Sequence, residues 1–166
     1  KNRGEIRSFD ISAKKIPRIT QGAERLGLSI ISADAADGRM PVPGLCSTAD
    51  VVIADVPCSG FGVIRKKPEI RYKKEEDIRG LPGIQRDIMS CACEYVKPGG
   101  VLLYSTCTLL AEENRSNVEQ FLSARDNFAP EDFEIPAGRS KGGMMTLMPH
   151  KNGTDGFFIC RLRRTK

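Results

Sequence analysis

Short apolar runs alternate with longer helical patterns along this 166-residue chain. Such alternation predicts parallel strands joined by helices that cover the faces of one sheet. Strands are expected over residues 5–9, 28–31, 51–54 and 101–104, and helices over 12–26, 84–96 and 112–122. The run 51–54 is apolar at every position, as in a strand buried on both faces. The sequence therefore predicts an α/β fold with a mostly parallel sheet.

The character of the chain changes beyond Arg125, where glycine and proline become frequent. Two strand-like runs, 144–148 and 156–162, are joined by a turn that contains Asn152-Gly153. Asn-Gly is a common turn pair between antiparallel strands. We therefore expect an antiparallel pair of strands at one edge of the sheet.

The first predicted strand has the features of a second strand in a doubly wound nucleotide-binding domain. In such domains an acidic residue follows the second strand, and a glycine-rich turn follows the first. Asp10 supplies the acidic residue, but no G-x-G-x-x-G occurs in the 166 residues. We therefore expect residues 1–166 to form one N-terminally truncated catalytic domain that lacks its first strand and its glycine-rich cofactor loop.

Composition excludes several classes of protein. Apolar residues make up 40% of the chain without forming a run long enough to cross a bilayer, so no membrane association is expected. The opening residues lack the pattern of a signal peptide, which predicts a cytoplasmic protein whose six cysteines stay reduced. The cysteines contain no C-x-x-C and the chain has one histidine, so no metal site is predicted.

Positive charge is concentrated in residues 65–74, which we call the basic loop. Its sequence RKKPEIRYKK holds six basic residues and one acidic residue, and 6 − 1 = +5 equals the net charge of the whole chain. A concentrated basic segment indicates a polyanionic partner, although a solvated surface loop explains the charge equally well. The candidate RNA-contacting residues are Arg65, Lys66, Lys67, Arg71, Lys73 and Lys74.

Acidic residues follow or end several of the predicted strands. In open α/β sheets the ligand site forms at the carboxyl ends of the strands. Asp10 is the residue type that binds ribose hydroxyls there, and Asp34 is placed to reach an adenine edge, with Asp37 as a competitor. Together these carboxylates predict an adenosine-bearing cofactor, although an acid that ends a strand is often only a helix cap.

Two cysteines and one acid follow the two most apolar strands. Asp55 and Cys58 follow one strand, and Cys107 follows the other. A thiolate that adds to carbon 6 of a pyrimidine activates carbon 5 for methylation, and a carboxyl group at N3 stabilises the charge that develops. A second thiol assists release of the product. Small buried side chains are expected for the remaining cysteines, Cys46, Cys91, Cys93 and Cys160.

The segments DVPCSGFGVIRKKPEIRY and YSTCTLLAEEN resemble those of the RNA (cytosine-5) methyltransferases of the Nol1/Nop2/Sun family, in its bacterial ribosomal RNA branch. The resemblance implies a Rossmann-like fold, S-adenosyl-L-methionine as cofactor and a cytosine of 16S ribosomal RNA as substrate. It implies that Cys107 is the nucleophile, that Cys58 assists product release and that Asp55 contacts the base. It also implies that Asp10, Asp34 and Asp55 bind the cofactor.

Other functions stay open at this point. The chain is expected to act as a monomer on small-subunit ribosomal RNA, but transfer RNA is an alternative substrate. A catalytically inactive RNA-binding fragment is a second alternative. A thiol redox protein is disfavoured because the C-x-x-C motif is missing. A DNA cytosine-5 enzyme is disfavoured because its nucleophile lies in the Pro-Cys loop and the Ser-Thr-Cys motif is not expected there.

Overall fold

The computed structural model describes residues 2–166. The chain divides into two compact units, the first ending at Val42 and the second running from Pro43 to Lys166. Each unit is described on its own below. No helix among the described residues is long and apolar enough to cross a membrane.

The first unit is a strand–helix–strand motif. Strand β1 (Ile6–Asp10) is followed by a 3-10 turn, helix α1 (Ile16–Arg25) and strand β2 (Ile31–Ala35). The two strands pair in parallel, with Phe9 opposite Asp34. Gly27, with φ of 65°, lets the chain turn sharply after the helix. The predicted parallel βαβ order is therefore present in this unit.

Two boundaries in the first unit differ from the prediction. Helix α1 begins at Ile16 rather than at Ser12, because the Ser12 N–H donates to Asp10 Oδ1 at 2.8 Å and the next residues form the 3-10 turn. Strand β2 begins at Ile31 rather than at Leu28. Asp34 therefore lies within the strand and not beyond its end.

The second unit contains a five-stranded sheet covered by helices. Its strands are β3 (Ala49–Asp55), β4 (Val96–Thr106), β5 (Phe128–Pro130), β8 (Met144–Leu147) and β9 (Phe157–Arg164), with a small separate pair β6 (Glu134–Ile135) and β7 (Gly138–Arg139). Its helices are α2 (Glu75–Ile78), α3 (Leu81–Tyr95), α4 (Arg115–Ala124) and α5 (Pro149–Asn152).

The sheet joins a parallel pair to an antiparallel extension. β3 and β4 are parallel neighbours, and β9 pairs antiparallel with β4 on one side and with β5 and β8 on the other. The predicted α/β class and the antiparallel pair β8–β9 are confirmed. The prediction that this pair lies at the sheet edge is wrong for β9. Strand β9 lies inside the sheet because it has pairing partners on both sides. Its residues Phe158, Cys160 and Leu162 alternate into the core.

The core lies between this sheet and helices α3 and α4. Met89, Val96, Leu102 and Val118 are fully buried in it, and Tyr104 packs its ring edge against Phe158. One side of β3 departs from the prediction. Val51 and Ile53 are 54% and 67% exposed, because their face of the strand is left uncovered by the described residues.

The helix predicted over 112–122 is broken near its start. Residues Ala111–Glu113 form a 3-10 turn, and α4 begins only after Asn114, whose φ of −112° and ψ of −102° are not helical. Thr106 Oγ1 donates to Asn114 Oδ1, and Asn114 Nδ2 donates to the Thr108 carbonyl at 3.0 Å. These bonds hold Asn114 against the loop that follows β4.

Candidate active site formed by two cysteine loops

Two loops leave the same end of the parallel pair β3–β4. We call residues 56–62 the Pro-Cys loop and residues 107–110 the Thr-Cys loop. Asp55, the last residue of β3, lies opposite Ser105 of β4, so the loops that follow start side by side. The sequence prediction placed Cys58 and Cys107 in these loops.

The structure brings the two predicted thiols into contact. Cys58 Sγ and Cys107 Sγ are 3.0 Å apart, and the Cys107 N–H donates to Cys58 Sγ at 3.2 Å. Both residues are only partly buried. The pair therefore presents two adjacent sulfur atoms at the carboxyl end of the sheet.

Asp55 adds a carboxylate at the same end. The Ser105 hydroxyl donates to Asp55 Oδ1 at 3.1 Å, which leaves Oδ2 open to a ligand. Asp55 is exposed, whereas the preceding Ala54 and the following Val56 are buried. The backbone of β3 is thus fixed by packing while the carboxylate faces outward.

The surroundings of Cys58 favour the protonated form of its thiol. Burial, and next the contact with the Cys107 thiol, raise the pKa of Cys58 to about 12. A thiol is a poor nucleophile at neutral pH because the thiolate is the reactive form. Two thiolates in contact would repel each other, so at most one of the two thiols is ionised at a time.

The remaining cysteines lie apart from this pair. Cys93 and Cys160 are buried as predicted, and burial raises their pKa to about 11 and about 12. Cys91 is partly buried. Cys46 is exposed, so the prediction of a buried side chain is wrong there, because Cys46 lies in a turn before β3 rather than in a regular element.

Three backbone segments meet at Gly62. Its N–H donates to the Cys107 carbonyl at 2.9 Å, and its carbonyl accepts the Gly156 N–H at 2.8 Å. A Cβ atom on Gly62 would lie 2.0 Å from the Gly156 oxygen, far inside van der Waals contact. The Pro-Cys loop therefore depends on glycine to approach both the Thr-Cys loop and the segment that enters β9.

Ser59, next to Cys58, is fully buried and bonded on every polar group. Its N–H donates to Glu113 Oε2 at 2.9 Å, and its hydroxyl shares a hydrogen bond with Thr108 Oγ1 at 2.7 Å. Its carbonyl accepts a hydrogen bond from Lys73 Nζ at 2.7 Å. Sequence reasoning missed Glu113 as a site residue, because its bond partner Ser59 lies 54 positions earlier in the chain.

The basic loop divides into internally paired and outward residues. Arg65 and Lys66 pair with the two oxygens of Asp155, at 3.2 and 2.6 Å, and the Asp155 side chain is only 5% exposed. These two cations, with Lys73, therefore anchor the loop to the protein. The exposed members without such an anchoring bond are Lys67, Arg71 and Lys74.

The predicted cofactor acids of the first unit differ in how they are held. Asp10 Oδ1 accepts the Ser12 N–H and Asp10 Oδ2 accepts Lys15 Nζ at 2.9 Å, and these bonds, the Ser12 bond first, lower the pKa of Asp10. Asp34 is exposed on β2. Asp37 is bound by Arg39, whose hydrogen bonds lower its pKa to about 2. Asp34 is thus freer than Asp37 to receive a ligand.

Within residues 2–166, no group of three or more histidine, cysteine, aspartate or glutamate side chains is arranged to hold a metal ion. All six cysteines are free thiols. The candidate site therefore consists of two thiols and a carboxylate, backed by buried polar groups.

Comparison with known proteins identifies the family. The model of a family described as 16S rRNA methyltransferase RsmB/F matches residues 1–163. The chain belongs to this family. The resemblance to Nol1/Nop2/Sun RNA methyltransferases that the two cysteine motifs indicated is thereby confirmed.

Relatives in the RsmB/F family cover the chain almost completely. A probable ribosomal RNA small subunit methyltransferase B of Bacillus subtilis is 38% identical over 99% of the chain. A ribosomal RNA small subunit methyltransferase F of Pectobacterium carotovorum is 32% identical over 99% of the chain. The chain spans 38% and 35% of these two proteins.

A solved structure supports the same relationship. The crystal structure of NSun6 from Pyrococcus horikoshii with SFG has a TM-score of 0.80 and 30% identity to this chain. It covers 99% of the chain, which spans 42% of it. The Rossmann-like methyltransferase fold is thus common to this RsmB/F family chain and its solved neighbours.

Proposed function

We propose that the chain is the catalytic part of an S-adenosyl-L-methionine-dependent enzyme that methylates carbon 5 of a cytosine in small-subunit ribosomal RNA. The observation that carries this proposal is the pair of sulfur atoms 3.0 Å apart, with Asp55 at the same end of the sheet. The names of the curated relatives support ribosomal RNA as the substrate.

The two thiols and the carboxylate have separate roles in this reaction. The Cys107 thiolate adds to carbon 6 and moves an electron pair toward carbon 5, while Asp55, in its protonated carboxylic acid form, donates its proton to N3. After carbon 5 has gained its methyl group, it loses its proton to water and N3 returns its proton to Asp55. The electron pair of the C5–H bond forms the C5–C6 double bond, and the bond from Cys107 to carbon 6 breaks with its electron pair returning to sulfur. Cys58, in contact with Cys107, assists this release.

The residues of the first unit fit the proposed cofactor. Asp10 is the last residue of β1 and Asp34 is the next-to-last residue of β2, and Phe9 pairs with Asp34 in the parallel ladder. Their carboxylates accept hydrogen bonds of the kind that ribose hydroxyls and an adenine amino group donate. Asp55 is a further candidate in the second unit. When bound, S-adenosyl-L-methionine supplies the electrophilic methyl group.

A methyl-transfer assay tests the proposed function. A full-length protein containing this chain is incubated with methyl-labelled cofactor and, in separate reactions, small-subunit ribosomal RNA or transfer RNA, and the nucleosides are separated after digestion. The expected result is label in 5-methylcytidine. Label in another nucleoside would contradict the proposed chemistry. Label only in transfer RNA would change the substrate, and RNA binding without any label would favour an inactive RNA-binding protein.

The division of the basic loop predicts which of its residues contact RNA. Replacing Lys67, Arg71 and Lys74 together with alanine is expected to weaken RNA binding. It should also make the plot of log affinity against log salt less steep by about 2, since each phosphate contact on single strands contributes roughly 0.7 to the magnitude of the slope. The measurement is a salt titration of RNA affinity with cognate and unrelated RNA.

A matched triple variant controls for net charge. Lys141, Lys151 and Lys166 are exposed lysines outside the basic loop, and their replacement with alanine removes the same charge. We expect this control to leave the salt slope nearly unchanged. Equal slopes for both triple variants would show that the basic loop is a solvated surface.

A further inference from the structure

Glu113 is a buried carboxylate behind the two cysteine loops. It is 1% exposed and lies in the 3-10 turn that directly follows the Thr-Cys loop. Its Oε2 accepts two hydrogen bonds, from the Ser59 N–H at 2.9 Å and from Gln85 Nε2 at 2.7 Å. The carboxylate thus reaches from the turn after Cys107 to the residue after Cys58.

The bond to Ser59 is one part of a larger set of bonds that joins the loops. Gln85 Nε2 also donates to the Pro57 carbonyl at 2.9 Å, so both neighbours of Cys58 are held through Glu113 and Gln85. On the other side, Asn114 bonds Thr106 and Thr108, the two neighbours of Cys107. Glu113 and Asn114, adjacent in sequence, therefore bracket both cysteines.

One oxygen of the buried Glu113 carboxylate has no partner within residues 2–166. Its Oε1 is buried without a hydrogen-bond partner, and no ion pair reaches it from the part of the chain that the structure describes. Arg86 Nη1 donates to Asn117, which in turn donates to Gln85. A buried carboxylate is costly to fold, and an apolar side chain of similar size is often as stable. Its placement here calls for a functional explanation.

We propose that Glu113 is a positioning residue for Cys58: through the Ser59 N–H it holds the Cys58 thiol against Cys107, where product release requires it. This inference rests on the proposed function. Loss of the carboxylate frees the Ser59 N–H and lets the Pro-Cys loop move, while Cys107 keeps its own anchors on Asn114. Attack by Cys107 is then preserved, and release of the methylated RNA is slowed.

The test measures covalent protein–RNA adduct and turnover in a full-length protein containing this chain. For Glu113→Ala we expect adduct that survives a denaturing gel to accumulate, as in Cys58→Ala. The kcat should fall by roughly 10- to 100-fold, with the KM for RNA changed less than about threefold, since small misplacements of a reacting group cost factors of this size. Adduct yield and kcat are divided by the concentration of folded protein, which circular dichroism and active-site titration measure.

Two further variants separate positioning from general stability. Glu113→Gln keeps an oxygen that accepts both hydrogen bonds, and it is expected to restore turnover and remove the adduct. Ser140→Ala removes a buried hydroxyl that bonds Phe133 and Asp132, away from the cysteine loops. It should lower stability without accumulating adduct. If Glu113→Ala does not fold, Glu113→Asp is used in its place, because the shorter aspartate side chain does not reach the Ser59 N–H.

The outcomes distinguish this inference from the proposed function. The positioning role alone would be overturned if Cys58→Ala accumulates adduct while Glu113→Ala and Glu113→Asp accumulate no more adduct than Ser140→Ala. Equal adduct in Glu113→Gln and Glu113→Ala would also overturn it. No adduct in any variant, Cys58→Ala included, would instead reject the proposed covalent reaction.

Discussion

Replacing Cys107 with alanine in a full-length protein containing this chain is expected to abolish both methyl transfer and covalent attachment to RNA. The reason is that Cys107 supplies the proposed attacking thiolate, while the neighbouring Cys58 thiol is assigned to product release. Loss of a covalent nucleophile typically costs several orders of magnitude in kcat. The measurement is labelled methyl incorporation together with a denaturing gel of protein and RNA.

Cys58→Ala is expected to give the opposite pattern on the gel. Cys107 still attacks and the base is still methylated, but release fails and a protein–RNA species accumulates. The contact between the two sulfur atoms at 3.0 Å supports this assignment, because it places Cys58 beside the bond that has to break.

Cys46→Ala provides the matched control for the two cysteine variants. Cys46 is an exposed free thiol, and its sulfur atom lies 3.9 Å from the Oγ of the neighbouring Ser47. This variant should behave as the wild type in both assays. The reverse pattern, with adduct from Cys107→Ala and none from Cys58→Ala, would show that the Pro-Cys loop carries the nucleophile and that our assignment is inverted.

Gly62→Ala is expected to destabilise the second unit and to remove activity. The new methyl group would lie 2.0 Å from the Gly156 oxygen, and neither backbone moves without breaking the bonds that Gly62 makes with Cys107 and Gly156. Overpacking of this kind costs on the order of 3 kcal/mol. Chemical denaturation and the adduct assay measure the two effects.

Gly83→Ala is the control for this change. Gly83 lies in the first turn of helix α3, and a Cβ atom there would meet only the Arg86 side chain at 3.9 Å. We expect the free energy of unfolding to stay the same or to rise by up to about 1 kcal/mol, since alanine is the better helix former. Wild-type stability and adduct formation in Gly62→Ala would refute the packing argument.

The positions of the two thiols were predictable from sequence because they depend on local patterns. Apolar runs bounded by polar residues placed β3 and β4, and parallel neighbours end at the same side of a sheet. Cys58 and Cys107 follow directly from those two rules. Their contact at 3.0 Å depends on the conformations of the two loops, which strand order does not specify.

Residues whose roles depend on distant partners were not predictable in this way. Glu112 and Glu113 fit the pattern of acids at a helix start, so nothing local indicated that Glu113 bonds Ser59, 54 positions earlier. The same limit applies to the basic loop. Arg65 and Lys67 count equally in a charge sum, but a buried Asp155, 90 positions after Arg65, binds only the first of them.

Because strand β9 lies inside the sheet, the sheet of the second unit cannot be completed until the last residues of β9 have been synthesised. On the ribosome, both cysteines emerge well before residues 157–164, which β4, β5 and β8 all need as their pairing partner. Gly156, at the entrance to that strand, also holds the Pro-Cys loop. The pair of thiols therefore acquires its fixed geometry only when this late segment has been synthesised, so an unfinished chain carries both cysteines without the contact between them.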